Sequence, residues 1–526
     1  MNINNIVIVG GGSSGWMAAA FLIKNFPEKS ITLVESNSIP TVGVGESTLA
    51  DITNFRDYLG IEEKDFMRST DASYKMSIKF TDFYEKNSGS FHYPFRYPNL
   101  SNTKNGLLDW MMIKALYPDT PSTDFVKCYF PQSFLYENNK FSLNKYGEFE
   151  SFDPQAEVAY HFDSTKFGNW LRDNYCLPRG VKHIIGTVTS AKICEEGIDS
   201  LTLDIGKQIV GDLFIDCTGF QSLLLGQYLD EPFESYENML PNNRAWAVQI
   251  PYINKRLELE PFTNCTAIDN GWCWNIPLWS RLGCGYVYSD KFVTPEDALE
   301  QFKKYLSSDK MVIPRNYNLL SNLNFKDIKM RVGTHKRTWV KNVVAIGLSA
   351  GFIEPLESNG LFTVQWYLYK LVKILLKNNV NQFDRDVYNA ATRAIFNNFS
   401  EFVGLHYSLS KRTDTEYWKT IHNKVFSQEL IDLAPTTTIG YSDFQNKKMF
   451  TNFPIESRGI TYIAVGMNSP FYDKVDLLFD YFGKPPKKDI DNMKQNFELK
   501  KQKWQKQSEN CEYLLDYLNK NIYNNY

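Results

Sequence analysis

The sequence predicts an α/β fold, doubly wound and built to hold a dinucleotide, with a mixed sheet and helical region interleaved through it and a helical C-terminal part. Three observations predict it. Ile6-Val7-Ile8-Val9 reads as a buried strand that runs into Gly10-Gly11-Gly12-Ser13-Ser14-Gly15 and then the helical stretch Trp16 to Ile23. A second apolar strand, Ile31 to Val34, ends in Glu35. Two later apolar segments, Asp212 to Phe220 and Val343 to Gly347, also run into glycine.

Each glycine of the first turn has a separate task. Gly10 makes the tight turn, Gly12 lets the backbone approach a pyrophosphate, and Gly15 lets helix and strand pack closely, with the diphosphate at the helix N-terminus. Glu35 lies about twenty residues past Gly15, where a carboxylate accepts hydrogen bonds from a ribose. Nicotinamide and flavin enzymes share this unit. The late returns at Asp216, Gly219 and Gly347 favour FAD, because a nicotinamide domain is usually contiguous. The expected cofactor core is therefore discontinuous, over 1–50, 155–235 and 331–380. Residues 51–154 and 236–330 form the interleaved substrate region, and 381–526 a mainly helical C-terminal part. Within that part the lysine-rich stretch from Lys487 reads as a solvated helix face.

Composition narrows the classes further. The 526 residues hold 57 Lys and Arg against 60 Asp and Glu, a net charge of −3, so no bulk field argues for nucleic acid or acidic lipid. The expected partner is a small molecule. Eight cysteines without a C-x-x-C pair and six histidines without ligand spacing predict reduced thiols and no metal. The first apolar run is already the dinucleotide strand and follows no basic segment, and the run from Val343 to Phe352 is too short for a span. A cytoplasmic protein, neither secreted nor in a membrane, is expected.

Three stretches carry chemistry. Gly271-Trp272-Cys273-Trp274-Asn275-Ile276-Pro277 places two indoles on one face of a strand, a wall suited to a large planar ligand. Tyr74 to Thr81 alternates strictly, with Lys75, Ser77, Lys79 and Thr81 on one face; from pattern alone these lysines face solvent. Residues 349–361 precede an amphipathic helix with Leu361, Val364, Leu368, Leu371, Val372 and Leu375 in register, for which Ser358 is the expected N-cap. The backbone N–H groups of Asn359 and Gly360 would then form a small anion site, and the helix dipole would keep Glu357 ionised or use it as a capping acid.

Together these motifs resemble the flavin-dependent halogenases of the tryptophan-halogenase family. The resemblance rests on G-x-G-x-x-G at 10–15, Val42-Gly43-Val44-Gly45-Glu46-Ser47-Thr48, Ser77-Ile78-Lys79-Phe80, the W-x-W-x-I-P run at 272–277 and Glu354-Pro355-Leu356-Glu357-Ser358-Asn359-Gly360, in that order. It covers roughly residues 1–470, and among members the chain looks most like phage-encoded, cyanophage ones, which would place it in the host-cell cytoplasm. The resemblance implies FAD, used as FADH2 from a separate flavin reductase, with O2 and a halide as co-substrates. It implies FAD contacts at Ser13, Gly45, Glu46 and Val188 beside those above, and halide at Asn359 and Gly360. Hypohalous acid would reach Lys79, which binds it as an ammonium donor or becomes a haloamine. Glu357, with Ser358, would orient the oxidant or take up the ring proton. Trp272, Trp274, Ile276 and Pro277 would line the flavin side of a tunnel.

The expected substrates are electron-rich aromatics: indoles, phenols, and tryptophan among them. Phe91-His92-Tyr93-Pro94-Phe95-Arg96-Tyr97 would supply aromatic walls, while the run Asn452 to Tyr462 departs from tryptophan-specific members. Members that prefer bromide or iodide to chloride make a looser anion site the expectation. Two alternatives stand beside this reading. An FAD-dependent aromatic monooxygenase would hydroxylate its substrate but has no use for Lys79, and a noncatalytic flavin-binding module would need neither Lys79 nor Glu357. A homo-oligomer is compatible with the sequence, which does not set the state.

Overall fold

The computed structural model describes residues 3–38, 45–95, 98–104, 106–142, 149, 157–377, 379–422, 457–468 and 483–523. The chain divides into two compact units, each assembled from three separated stretches. The first comprises Met1–Ala72, Tyr160–Ala245 and Asp327–Ser400; the second comprises Ser73–Ala159, Trp246–Lys326 and Glu401–Tyr526.

The first unit is built on a six-stranded sheet in the order Trp339–Val340, Val343–Ala345, Leu213–Asp216, Asn5–Val9, Ser30–Glu35, Lys182–Ile185. All neighbours are parallel except the antiparallel pair at the Trp339 edge. Ile6 through Val9 are all buried, as expected of a parallel strand covered on both faces, which is why the sequence shows a continuous apolar run rather than alternation. The helix Ser13–Asn25 buries every residue from Gly15 to Ile23, so it too is apolar all round. Val9, Asp216 and Ala345 stand in register, which brings three strand carboxyl ends side by side. In doubly wound sheets a ligand is held beyond those ends.

The first unit extends past residue 50 and takes in the helices Asp51–Leu59 and Glu63–Thr70. Phe55 stacks on Phe21 of the Ser13–Asn25 helix with ring centroids 5.9 Å apart, an aromatic contact of long sequence separation that local pattern does not show.

In the second unit a mixed sheet runs from the Arg244–Ile250 strand through Leu282–Tyr288, Gly271–Pro277, Phe262–Ile268 and Ser77–Thr81 to Ser90–Pro94. Its register sorts side chains into rows. His92, Lys79, Asn264, Asn275 and Cys284 are successive partners across it, and so are Phe91, Phe80, Cys265, Trp274 and Gly285. Adjacent residues of a strand face opposite ways, so these rows lie on opposite faces. On the face of Cys273, Cys284, Tyr286 and Tyr288 the helix Pro295–Leu306 contributes Ala298, Phe302, Tyr305 and Leu306 to one core. Asn275 Nδ2 donates to Tyr305 Oη at 2.8 Å within it.

The C-terminal part is mainly helical where described, with Gln382–Ser408, Glu416–His422, Ser457–Gly466, Lys487–Glu509 and Leu514–Leu518, and one short strand at Glu512–Tyr513. The Lys487–Glu509 helix is more than a solvated face. Ile490, Met493, Phe497, Lys500, Trp504 and Ser508 form a buried stripe, and Lys500 Nζ donates to the carbonyls of Asn99 and Ser101, both at 3.0 Å. A buried lysine survives there because its charge is met by backbone oxygens. All eight cysteines are free. Among the described residues no helix is long and apolar enough to cross a membrane, and no three His, Cys, Asp or Glu side chains gather as a metal site.

Candidate active site

The glycine turn of the first unit has the geometry that its spacing predicts. Gly10 sits at φ +113°, and a Cβ there would lie 2.2 Å from the Cys217 carbonyl oxygen. A Cβ on Gly15 would lie 1.9 Å from the Gly10 carbonyl oxygen, so helix and strand touch through backbone alone. A Cβ on Gly12 would meet nothing within 4 Å; this is open space at the helix N-terminus, where Gly12 is the N-cap and Ser13 the first helical residue. Gly219 and Gly347, at φ +68° and +73°, follow the neighbouring strand ends. A Cβ on Gly347 would come within 2.4 Å of Ser14 Oγ, so that loop packs on the first helical turn. Free N–H groups, open space and close-packed glycines at three aligned strand ends fit a dinucleotide diphosphate.

The acids around this turn differ in role. Glu35 holds His183 Nε2 at 2.9 Å through Oε2 and packs against Gly11, whose Cβ would lie 2.1 Å from its carboxyl carbon. Asp216 has its carboxylate committed: Oδ1 accepts from Thr218 N and Oγ1 at 3.0 and 2.6 Å, and Oδ2 from Leu224 N and Leu225 N at 2.8 and 2.9 Å. It therefore shapes the loop that carries Gly219. Glu46, next to Gly45 and paired with Phe162, has its pKa raised to about 7 by burial, with the nearby Asp163 charge adding to it. Val188 is half-buried in the Val188–Cys194 strand.

The segment 354–360 differs from the sequence expectation in one respect. Ser358 is not the N-cap of the Gly360–Leu375 helix; Asn359 is, without a side-chain cap bond. A 3-10 turn at Pro355–Glu357 intervenes and sets Ser358 at φ +58°, so its hydroxyl turns away from the helix and meets Ser47 Oγ at 3.0 Å. Glu357, Ser358 and Asn359 are buried, while Gly360 is exposed and open on its Cβ side. The backbone N–H groups at the start of this helix still face outward from its positive end.

In the second unit Lys79 lines a cavity of about 380 Å³ with His92, Val126, Tyr136, Glu260 and Phe262. The lysines of its strand are not solvent-facing: Lys75 is fully buried with Nζ over the Phe95 ring, and Lys79 is half-buried with Nζ 5.4 Å from the Phe262 ring centroid. Lys79 and Glu260 each lack a hydrogen-bond or ion-pair partner among the described residues. Burial raises the Glu260 carboxyl to about 7, against the opposing pull of Lys79. His92 is held well below its ordinary range, by burial first and then by Lys79, so it stays neutral; its Nδ1 lies 2.9 Å from Ser77 Oγ and its ring stacks on Tyr136 at 4.4 Å. The lining thus mixes aromatic and apolar side chains with polar ones, and carries one lysine and two carboxyls, Glu260 and Glu137, the latter paired with Lys127.

The predicted residues distribute as follows. Of the expected aromatic-wall run 91–97, Phe91 and His92 line the pocket, and His92 shares the sheet face of Lys79. Tyr93 sits in the opposite row, near Phe402 and Tyr462, and Phe95 is buried with its carbonyl accepting from Gln132 Nε2 at 3.2 Å. Pro94 pairs with Ser77 at the strand end. Trp272 and Trp274 do share a face, centroids 6.0 Å apart, but it is the face opposite Lys79, and both are buried. Ile276 follows on their side and Pro277 closes the strand. Val42, Gly43, Val44, Arg96, Tyr97 and 452–456 lie outside the described residues. Glu260, Tyr136 and Phe262 went unremarked in the sequence. Glu260 is placed by the parallel pairing of Phe262–Ile268 with Ser77–Thr81, far apart in the chain, and only the breaker Pro261 marks the strand's approach.

A doubly wound unit with a glycine cradle and, in the same chain, a unit holding a lysine in an aromatic-lined pocket point to a dinucleotide-dependent α/β enzyme. The model of the tryptophan halogenase family matches residues 5–461. The tryptophan 6-halogenase SttH of Streptomyces toxytricini is 34% identical over 466 residues, 85% of this chain and 86% of that one. The VirX1 apo structure superposes with a TM-score of 0.89 at 34% identity, covering 99% of both chains. Tar14, a tryptophan C-6 flavin-dependent halogenase (chlorinase) from taromycin biosynthesis, does so with a TM-score of 0.82 at 30% identity, covering 98% of both chains. The chain belongs to the tryptophan halogenase family, whose characterised relatives are flavin-dependent enzymes.

Proposed function

We propose that this protein is an FADH2-dependent halogenase that uses O2 and halide to halogenate electron-rich aromatic carbons, with bromide or iodide preferred over chloride. When bound, FADH2 would supply two electrons that, with two from the halide, reduce O2 to one hypohalous acid and one water. In this reading the glycine cradle at 10–15, with Glu35, Gly45, Glu46, Val188, Gly219 and Gly347, holds the dinucleotide, and Asp216 organises the loop before Gly219. The N–H groups of Asn359 and Gly360 hold the halide at a helix start that is open on the Gly360 side. A loosely bounded anion site favours large, easily dehydrated halides.

The observation that carries the reading is Lys79: half-buried, without a hydrogen-bonding partner among the described residues, and set in an aromatic-walled pocket. An ammonium so placed donates to hypohalous acid, raises its electrophilicity and fixes it against the ring. Glu357 takes up the ring proton, and Ser358 acts beside it. Reduced flavin comes from a separate reductase, and the likeness to phage-encoded members carries the reading to the cytoplasm of a host cell. The test supplies enzymatically reduced FAD and O2 with chloride, bromide and iodide in competition to indoles, phenols and tryptophan, with products read by mass spectrometry. A halogen mass gain, largest for bromide or iodide and absent in Lys79→Ala, is expected; a hydroxylated product would make the protein a monooxygenase, and flavin binding without product a noncatalytic module.

A further inference from the structure

The Lys79 pocket contains a second ionisable group that the reading above does not use. Glu260 lines the same cavity, half-buried, with no hydrogen-bond or ion-pair partner among the described residues. Its immediate predecessor in the acid series, Glu258, is by contrast committed: it pairs with Arg315 and accepts from Ile253 N at 2.7 Å and Asn254 N at 2.8 Å. A carboxyl that shares a cavity with a lysine yet makes no close bond to it leaves room for a molecule that both groups touch.

Resting on the halogenase reading, we infer that Glu260 is a catalytic base for a ring hydroxyl, so that phenols are the substrate class this pocket activates. The hydroxyl proton passes to the Glu260 carboxylate as the ring carbon attacks the halogen of hypohalous acid held by Lys79. The carbon–halogen bond forms and the halogen–oxygen bond breaks; the ring loses two electrons to the halogen, and the departing oxygen takes a proton from the Lys79 ammonium and leaves as water. The ring C–H proton goes to Glu357, as in the reading above, and is released to solvent, from which the lysine amine regains its proton; the ring oxygen regains its proton from Glu260. Each group ends as it began.

The surroundings suit this role. Of the titratable groups facing Glu260, His92 is held neutral and the Tyr136 hydroxyl is pushed well above its ordinary range by burial. Glu137 at the pocket rim pairs with Lys127 at 3.0 Å, and Lys79 and Glu258 complete the set. Glu260, raised to about 7, is the group whose charge changes near neutral pH. A base in that range matches a phenol far better than an indole N–H, which is too weak an acid to give up its proton.

The experiment uses Glu260→Gln, which keeps the shape, and compares a phenol, its methyl ether and an indole in the competition assay. In the wild type the phenol should outrun its ether by on the order of 10²-fold, and the variant should lose that ratio while still halogenating the indole. A second measurement needs no flavin: calorimetric binding to the wild-type protein should favour phenol over ether above pH 7, with the advantage falling as pH drops through about 7, and the variant should show no such dependence. Halogenated indole with an unchanged phenol-to-ether ratio in the variant, or a pH-independent binding preference in the wild type, overturns the role of Glu260 alone. No halogenated product from any ring overturns the halogenase reading and this inference with it.

Discussion

Lys79 and Glu357 act on the same proposed reaction from different parts of the chain, and single substitutions separate their contributions. Lys79→Ala should bring ring halogenation to background while flavin reoxidation, followed by absorbance, continues; unchanged product yield would remove Lys79 from the chemistry. Glu357→Gln should slow halogenation by on the order of 10²-fold or more with FAD still bound, as expected of a lost proton acceptor; a wild-type rate would leave Glu357 as a structural acid of its 3-10 turn. Glu46 offers a contrast, since its raised pKa bears on stability. A carboxyl lifted from 4.5 to about 7 on folding stabilises the fold fully only below the unfolded value, and that contribution is lost as pH rises from about 4.5 through 7. Glu46→Gln should therefore flatten the thermal stability of the flavin-free protein across that window, measured by melting at stepped pH; a parallel profile for variant and wild type would show that Glu46 gains another partner on ionising.

At the scale of elements, what the sequence shows clearly is what is local. The Asn5–Val9 strand, the glycine turn and the Ser13–Asn25 helix are adjacent in the chain, and each carries its own period, turn or packing signal. The apolar register expected for Gly360–Leu375 is the one that is buried, Leu361 to Leu375. The indoles of 272 and 274 share a face because alternation has no other outcome. Which face that is relative to Lys79 depends on two strand pairings, and neither is written in local spacing. The Ser358 cap failed for a related reason: a proline-led 3-10 turn consumes the residues before the helix and displaces its start by one position. Gly285 lies opposite Trp274, and a Cβ there would sit 2.0 Å from the indole ring. Gly285→Ala should cost about 1–3 kcal/mol in chemical denaturation through overpacking; an unchanged midpoint would mean that the ring moves freely.

For the molecule as a whole, each compact unit is made of three stretches, so neither corresponds to a continuous piece of sequence. The Leu213–Asp216 strand lies between Asn5–Val9 and Val343–Ala345, one partner far before it and one far after. A fragment ending near residue 330 should therefore leave one edge of Leu213–Asp216 bare, and it should be recovered insoluble, whereas a soluble, flavin-binding fragment would show that the Val343–Ala345 strand is dispensable. The same order of strands has a consequence during synthesis. At about 5–20 residues per second, a ribosome takes on the order of tens of seconds to travel from the first strand to Val343–Ala345. Through that interval the nascent sheet carries an apolar, unpaired edge, and pairings of such long sequence separation close slowly. Protection of that edge by a holding chaperone, rather than the final stability of the enzyme, would then set how much active protein a cell obtains.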